Sequence, residues 1–202
     1  MKRGDMRAYT RTSVFLHWLV AMLIFSAFPL GVYMHGMPLT PDKLRYFSYH
    51  KWMGVTVFVL AVLRLIWRLI HKPPELAASL APWERLAARC VHDLLYVLIF
   101  AIPLSGWLMS SATGLQTVWF GVLPIPDLLD RDRELGDLLL FVHQTLNWAL
   151  LAFVAGHAVA ALNHHFFARD ETLLRMIPFL RSRCSGGSDQ RTTPRAGNHP
   201  LQ

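Results

Sequence analysis

Charged side chains are scarce in this chain: they make up 16% of its 202 residues, whereas an ordinary soluble domain carries about a quarter. Apolar residues make up 53%, and most fall in four long runs that leave too little sequence for a sizeable soluble core. As a helix, each run is about long enough to cross ~30 Å of hydrocarbon. We therefore predict an all-α membrane protein, a bundle of four transmembrane helices. The predicted spans are Val14–His35, Trp52–Ile70, Asp93–Ser111 and Leu138–Leu162.

Cysteine is nearly absent, which excludes a disulfide framework. The two cysteines, Cys90 and Cys184, fall on the same predicted cytoplasmic side, where disulfides are rare. The chain contains no C-x-x-C-H, so the usual motif for a covalently attached c-type haem is missing. A cleaved signal peptide is disfavoured as well, because the first apolar run is longer than a typical h-region and no A-x-A-like site follows it.

The basic residues are distributed unevenly between the two predicted sides of the membrane. Lysine and arginine cluster before the first run, between the second and third, and after the fourth, whereas the other connections carry few of them. The positive-inside rule then places both termini in the cytoplasm. The net charge of +7 needs no nucleic acid, because basic flanks beside anionic lipid headgroups account for it.

One membrane domain accounts for most of the chain. Residues 1–13 are predicted to be a cytoplasmic tail, and residues 14–183 the four-helix domain. That domain ends in a short amphipathic helix, Glu171–Ile177, which Asp170 can cap. Residues 184–202 are rich in Ser, Gly, Arg, Thr and Pro, so we expect a disordered tail there.

Ten histidines in a chain of this size need an explanation, because an ionisable residue inside a span is costly and usually functional. For one histidine alone, packing against a neighbouring helix would be the ordinary explanation. His143 and His157 are 14 residues apart on the fourth span, which puts them on one face of a helix with ~21 Å of rise between them. His50 lies at the depth of His143, and His17 at the depth of His157. The four histidines are therefore predicted to form two pairs, one at each depth.

Each pair suits a haem held edge-on between helices, with one imidazole on either side of its iron. Two axial histidines saturate the iron, which favours electron transfer over substrate binding at the metal. Zinc would need a third or fourth ligand at the same depth, and no Cys, Asp or Glu lies there. The same lack of carboxylates argues against a metal transporter. Gly54 and Gly156 would let a helix or a flat cofactor approach closely, although plain helix packing explains them equally well.

Two arginines and one more histidine lie near the predicted inner pair. Arg64 and Arg68 are one turn apart in the inner half of the second span, where an arginine is expected to bind an anion such as a haem propionate. For Arg68, snorkelling to the headgroups is an equally good explanation. His92 is either a polar neighbour of the inner haem or an interfacial histidine, and we favour the second.

With its histidines placed, the sequence resembles the bacterial cytochrome b561 family over about residues 10 to 180. The match is specific, because the four histidines come in the family's order and keep the 14-residue step on the fourth span. The segments that carry it are VFLHWL from Val14, YHKWMG from Tyr49, VLRLIWR from Val62, IPLSGWLMS from Ile102, GHAVAALNHHF from Gly156 and RDETLLRMIP from Arg169.

The resemblance implies two b-type haems stacked across a bacterial inner membrane, the outer one on His50 and His143 and the inner one on His17 and His157. Stand-alone members similar to this chain are superoxide oxidases, which take electrons from superoxide outside and reduce ubiquinone. In that branch, a histidine matching His164 is a candidate for quinone contact or proton delivery. An interfacial role beside the headgroups, shared with the histidine that follows it, is an equal alternative.

Two functions remain open for such a protein. In the first, exposed cations near the outer haem raise the encounter rate of superoxide by steering it, and the candidates are Lys43, Arg45 and Lys51. In the second, the chain is a haem subunit that relays electrons between quinone and a separate partner, such as a periplasmic electron donor. The haems are the same in both functions, and only the donor differs.

Overall fold

The computed structural model describes residues 9–71 and 81–166, and helices account for most of them. Each of the four helices in this part of the chain is long and apolar enough to cross a membrane. The prediction of a four-span all-α membrane bundle is therefore confirmed. The amphipathic segment and the tail predicted towards the C-terminus lie outside the described residues. The helices are α1 (Arg11–His35), α2 (Pro41–Ile70), α3 (Pro82–Ala112) and α4 (Arg133–Phe166).

The first two helices begin at threonine caps. The hydroxyl oxygen of Thr10 accepts a hydrogen bond from the backbone N–H of Ser13 at 3.2 Å, which satisfies a free donor in the first turn of α1. Thr40 does the same for α2, and Pro41 occupies the first helical turn, where its missing N–H costs nothing. Because of this start signal, α2 begins well before the predicted boundary at Trp52.

The last two helices also begin before the apolar runs that predicted them. The Glu84 carboxylate accepts a hydrogen bond from the backbone N–H of Ala81 at 2.8 Å at the start of α3. An oxygen of the Asp132 carboxylate accepts from the N–H of Leu135 at 3.1 Å at the start of α4. These first turns carry charged residues, so a search for apolar runs places the helix starts too late.

The bundle consists of two helical hairpins. Helix α1 packs along α2, and α3 along α4, while α2 joins the hairpins by packing against α3. Contacts between α1 and α4 include the edge-to-face pair of Phe28 and Trp148, with ring centroids 5.2 Å apart. Nearer the end of α1, Gln144 and His35 are within hydrogen-bond distance at 3.3 Å. Side chains from all four helices can therefore face a common interior.

A short β-hairpin lies in the connection between α3 and α4, at what we call the outer end of the bundle. Strands β1 (Val118–Trp119) and β2 (Leu123–Pro124) pair antiparallel. The turn between them has φ of 51° at Phe120 and 72° at Gly121. Glycine adopts this left-handed conformation without cost, which explains its presence at the turn.

Candidate functional site

The two histidines predicted for the outer iron face each other across the bundle. The ring centroids of His50 and His143 are 6.2 Å apart, and the ring planes are inclined by 83°. An imidazole nitrogen lies about 1 Å from the ring centroid and bonds a metal at about 2 Å, so two rings on opposite sides of one metal have centroids about 6 Å apart. The spacing therefore suits a single iron between the two rings.

The Nδ1 atom of each outer histidine is hydrogen-bonded to a backbone carbonyl. Nδ1 of His50 lies 3.1 Å from the carbonyl oxygen of Ala27, and Nδ1 of His143 lies 3.1 Å from that of Ile102. A carbonyl oxygen can only accept, so both Nδ1 atoms carry the proton and donate it. In a neutral imidazole, Nε2 then keeps its lone pair. Histidines that bind metals are oriented in this way, with the second nitrogen hydrogen-bonded to a carbonyl or carboxylate.

Each outer histidine also packs against a glycine one turn beyond its carbonyl partner. A Cβ built on Gly31 of α1 would lie 3.2 Å from Cε1 of His50, and one built on Gly106 of α3 would lie 3.1 Å from Cε1 of His143. Both distances are shorter than ordinary van der Waals contact. In each hairpin, the helix that packs beside the histidine contacts it in the same way. A backbone carbonyl of that helix meets Nδ1, and a glycine four residues later packs against the ring.

The glycines that contact the site differ from those favoured by the sequence. A Cβ built on Gly54 or Gly156 would meet nothing within 4 Å in the described part of the chain, so close helix packing at these two positions is not found. The sequence did not single out Gly31 or Gly106 as residues of the site. A usable signal was present, since each follows a proline inside its helix, Pro29 or Pro103.

Ser105 gives His143 a second oxygen contact that His50 lacks. Its hydroxyl donates a hydrogen bond to the carbonyl of Ile102 at 2.8 Å and lies 3.0 Å from Nδ1 of His143. Because the hydroxyl proton points to the carbonyl, the serine oxygen is free to accept from Nδ1. Ser105 is buried, so water does not compete for this contact. The two outer ligands are therefore held by unequal hydrogen bonding.

The inner histidines lie in a polar group to which all four helices contribute. His17 of α1 lies near Arg64 of α2, His92 of α3 and His157 of α4. Among residues 9–71 and 81–166, no three His, Cys, Asp or Glu side chains are grouped so that they could hold a metal ion. A site held by two histidines does not require such a group.

The position of His92 corrects our preference for an interfacial role. Its ring lies edge-on to that of His157, with centroids 5.0 Å apart, and its Nδ1 lies 2.6 Å from the carbonyl of Ala88 one turn earlier. His92 is therefore a polar neighbour of the inner pair. The distance is about 1 Å shorter than the one expected for two rings on opposite sides of one metal.

Both arginines of the second span contact a tyrosine that sequence reasoning missed. Nε of Arg64 donates a hydrogen bond to the hydroxyl of Tyr96 at 3.0 Å. The guanidinium carbons of Arg64 and Arg68 lie 5.9 and 5.2 Å from the centroid of its ring. Arg68 thus has a partner inside the bundle. The available signal for Tyr96 was its spacing of four residues from His92. This spacing places Tyr96 and His92 on one face of α3.

The proposed steering lysines contact backbone carbonyls at the outer end. Nζ of Lys51 donates a hydrogen bond to the carbonyl of Leu115 at 2.6 Å, which ties α2 to the connection between α3 and α4. The neighbouring Trp52 donates from Nε1 to the carbonyl of Val118 at 2.6 Å. Lys43 donates to the carbonyl of Met37 at 2.6 Å. Lys51 therefore has a structural role in addition to any effect of its charge.

The candidate quinone residue lies at the end of the described chain. His164 is in the last turns of α4, seven residues beyond His157. Its side chain, like that of the histidine after it, lies outside the described residues. Its proposed role in quinone contact or proton delivery therefore stays a prediction.

Substitution of Gly106 by alanine should disturb the outer site selectively. The new methyl group would lie 3.1 Å from Cε1 of His143, so the ring must shift by a few tenths of an ångström. We expect weaker retention of the outer haem and an altered absorption band, measured in the purified protein. Gly36→Ala is the matched control, since a Cβ there would meet only the carbonyl of Tyr33 at 3.9 Å. Identical haem content and spectra in the two variants would contradict the role of Gly106.

Comparison with known proteins gives consistent results over nearly the whole chain. A family model described as prokaryotic cytochrome b561 matches residues 8–179. The chain is 34% identical over 177 residues to "Cytochrome b561 homolog 2" of Escherichia coli K12, covering 84% of this chain and 90% of that protein. It is 29% identical to "Cytochrome b561 homolog 1" of the same organism, covering 86% and 98%. It is 28% identical to "Probable superoxide oxidase CybB" of Yersinia pestis, covering 87% and 98%.

Proposed function

The chain belongs to the prokaryotic cytochrome b561 family, and on that premise we propose that it passes electrons from superoxide, at the outer face of the bacterial inner membrane, to ubiquinone. Membership makes it a multi-pass membrane oxidoreductase that carries b-type haem and transfers electrons. The donor, the acceptor and the number of haems are the proposed part.

The proposed cofactors are two haems, one between His50 and His143 and one between His17 and His157. The observation that carries this proposal is the orientation of the outer pair, in which carbonyl contacts at 3.1 Å occupy both Nδ1 atoms. A haem held by two imidazoles exchanges single electrons and leaves no position on its iron for a substrate. The task of the chain is to hold the imidazoles rigidly, which the contacts with Gly31 and Gly106 support.

Superoxide is the proposed donor because a relative of similar length is named a probable superoxide oxidase. With both termini proposed to be cytoplasmic, the outer pair and the β-hairpin face the periplasm. Superoxide is an anion, so positive charge at this end would raise its encounter rate. Arg45 is exposed, and Lys43 and Lys51 are partly buried by their carbonyl contacts. Arg45 is therefore the most accessible of the three charges.

Ubiquinone is the proposed acceptor at the opposite end. Two superoxide ions would be oxidised to two molecules of dioxygen, and the two electrons released would reduce one quinone, which takes up two protons to become the quinol. The protons would come from the cytoplasmic side. His164 is proposed to deliver one of them or to contact the quinone, since an imidazole exchanges protons near neutral pH.

The test uses the purified full chain with ubiquinone and no other protein. We expect superoxide to reduce the haems and to produce ubiquinol, measured from the haem absorption bands and by quinol detection. Added superoxide dismutase should abolish both signals. If superoxide fails to reduce the haems while a periplasmic extract or quinol succeeds, the chain is instead a relay subunit that works with a separate partner.

The steering charges can be tested within the same assay. The second-order rate of haem reduction should fall as ionic strength rises, because salt shortens the reach of exposed charges to ~8 Å at physiological concentration. Lys51→Gln and Arg45→Gln should each lower that rate and flatten its salt dependence. Lys51→Arg is the control, since it keeps both the charge and a donor for the carbonyl of Leu115. A rate unaffected by salt and by both glutamine variants would argue against steering.

A further inference from the structure

Arg64 and Arg68 lie on one face of α2 and share a single aromatic partner. They are four residues apart, so their guanidinium groups repel each other. The ring of Tyr96 lies within about 6 Å of both cations, the range of a cation–π interaction. Its hydroxyl also accepts the hydrogen bond from Nε of Arg64 at 3.0 Å. One residue of α3 thus holds two like charges side by side.

This pair of charges has no carboxylate to neutralise it in the described part of the chain. In that part of the chain, both guanidinium groups contact Tyr96. A charge inside a membrane protein is costly unless it is paired, so an anionic ligand is expected beside them. Arg64 is near enough to His17 and His157 for its charge to act on both. The carboxylates of a haem held by those histidines would provide the missing negative charge.

We propose that Tyr96 is a positioning residue, which fixes Arg64 and Arg68 beside the inner haem and thereby favours its reduced state. The inference rests on the proposed inner pair, His17 and His157. Reduction adds an electron, and nearby positive charge stabilises the more negative state. The inner haem would consequently accept electrons more readily than it would without the tyrosine.

The two contacts made by Tyr96 can be separated by substitution. Tyr96→Phe removes the hydroxyl that accepts from Arg64 and keeps the ring. Tyr96→Leu removes both and leaves two repelling cations with no aromatic surface between them. Tyr46→Phe is the matched control, because Tyr46 lies at the outer end, where its ring contacts Tyr33 and Tyr49.

The experiment is a redox titration of both haems in the purified protein, with no superoxide or quinone present. In Tyr96→Phe, the equilibrium constant for reduction of the inner haem should fall about threefold, the change expected when a charge a few ångströms away moves by about 1 Å at an effective dielectric near 20. In Tyr96→Leu it should fall about tenfold, which is 59 mV for a one-electron couple. The outer haem, and both haems of Tyr46→Phe, should titrate as in the unaltered protein.

A double-mutant cycle distinguishes positioning from a general structural effect. If Tyr96 acts through Arg64, then Tyr96→Phe should have little further effect in an Arg64→Gln background. Unchanged titration of Tyr96→Phe and Tyr96→Leu, equal shifts of both haems, or additive effects in the cycle would overturn the proposal. If Tyr96→Leu loses the inner haem, the redox titration of Tyr96→Phe decides whether the proposal holds. An unaltered chain that binds only one haem would instead refute the proposed function.

Discussion

A His143→Ala protein should retain one haem per chain, where the unaltered protein is proposed to hold two. Alanine removes one of the two imidazoles that would hold the outer haem, and it also leaves the hydroxyl of Ser105 and the carbonyl of Ile102 without the N–H that they now receive. His50→Ala should have the same effect, because the ring of His50 lies opposite, with its centroid 6.2 Å away. The measurement is haem content per chain, together with the spectrum of the haem that remains.

The reciprocal variants and a control complete this experiment. His17→Ala and His157→Ala should lose the inner haem and keep the outer one. His35→Ala is the control, since His35 is also near the outer end but contacts Gln144 rather than the proposed ligands. Two haems per chain in His143→Ala would refute the pairing, and so would loss of both haems in the control.

The four helices, and the shared face of His143 and His157 on the fourth one, could be predicted because both depend on local sequence. An apolar run of suitable length predicts a span wherever it occurs, and a spacing of 14 residues places His143 and His157 on one face of any helix. The starts of α2 and α3 were predicted too late, because their first turns project beyond the apolar runs and are specified by caps. Thr40 followed by Pro41 was a readable start signal.

The supports of the outer site could not be predicted, because they depend on contacts between residues distant in sequence. Nothing near His50 in the chain indicates that its Nδ1 meets the carbonyl of Ala27, 23 residues earlier. Nδ1 of His143 meets Ile102, 41 residues earlier. The packing of α1 on α2 and of α3 on α4 sets both registers. Periodicity identifies the face that a residue shares, but not the atom opposite it.

Tyr96 illustrates the same limit at the inner end. An arginine within a span predicts an anion nearby, and this reasoning selected Arg64, whose contact with an anion stays a prediction. It could not identify the neutral side chain that holds the arginine, because a tyrosine near the end of a span is usually explained by the membrane interface. Arg64 and Tyr96 are again far apart in sequence, with 32 positions from one to the other.

Loss of an inner ligand should stop quinone reduction while leaving the donor reaction intact. In His157→Ala the outer histidines keep their carbonyl and glycine contacts, so superoxide should still reduce the outer haem at an ordinary rate. Steady formation of ubiquinol should fall by roughly a hundredfold or more, since this variant is expected to lose the proposed inner haem. Stopped-flow absorption measures the first reaction, and quinol formation measures the second.

Comparison of His157→Ala with His143→Ala tests the direction of electron flow, which we expect to run from the outer site to the inner one. The His143→Ala variant should lose the rapid reduction by superoxide as well as the production of quinol, because the outer site is the one proposed to receive electrons from the donor. His71→Ala, which alters a histidine stacked on Trp67 at the inner end of α2, should preserve both reactions. If His157→Ala instead made ubiquinol at the unaltered rate, quinone would have to collect its electrons at the outer site. The inner pair, with Arg64, Arg68 and Tyr96 beside it, would then have to serve some purpose other than delivery of electrons to quinone.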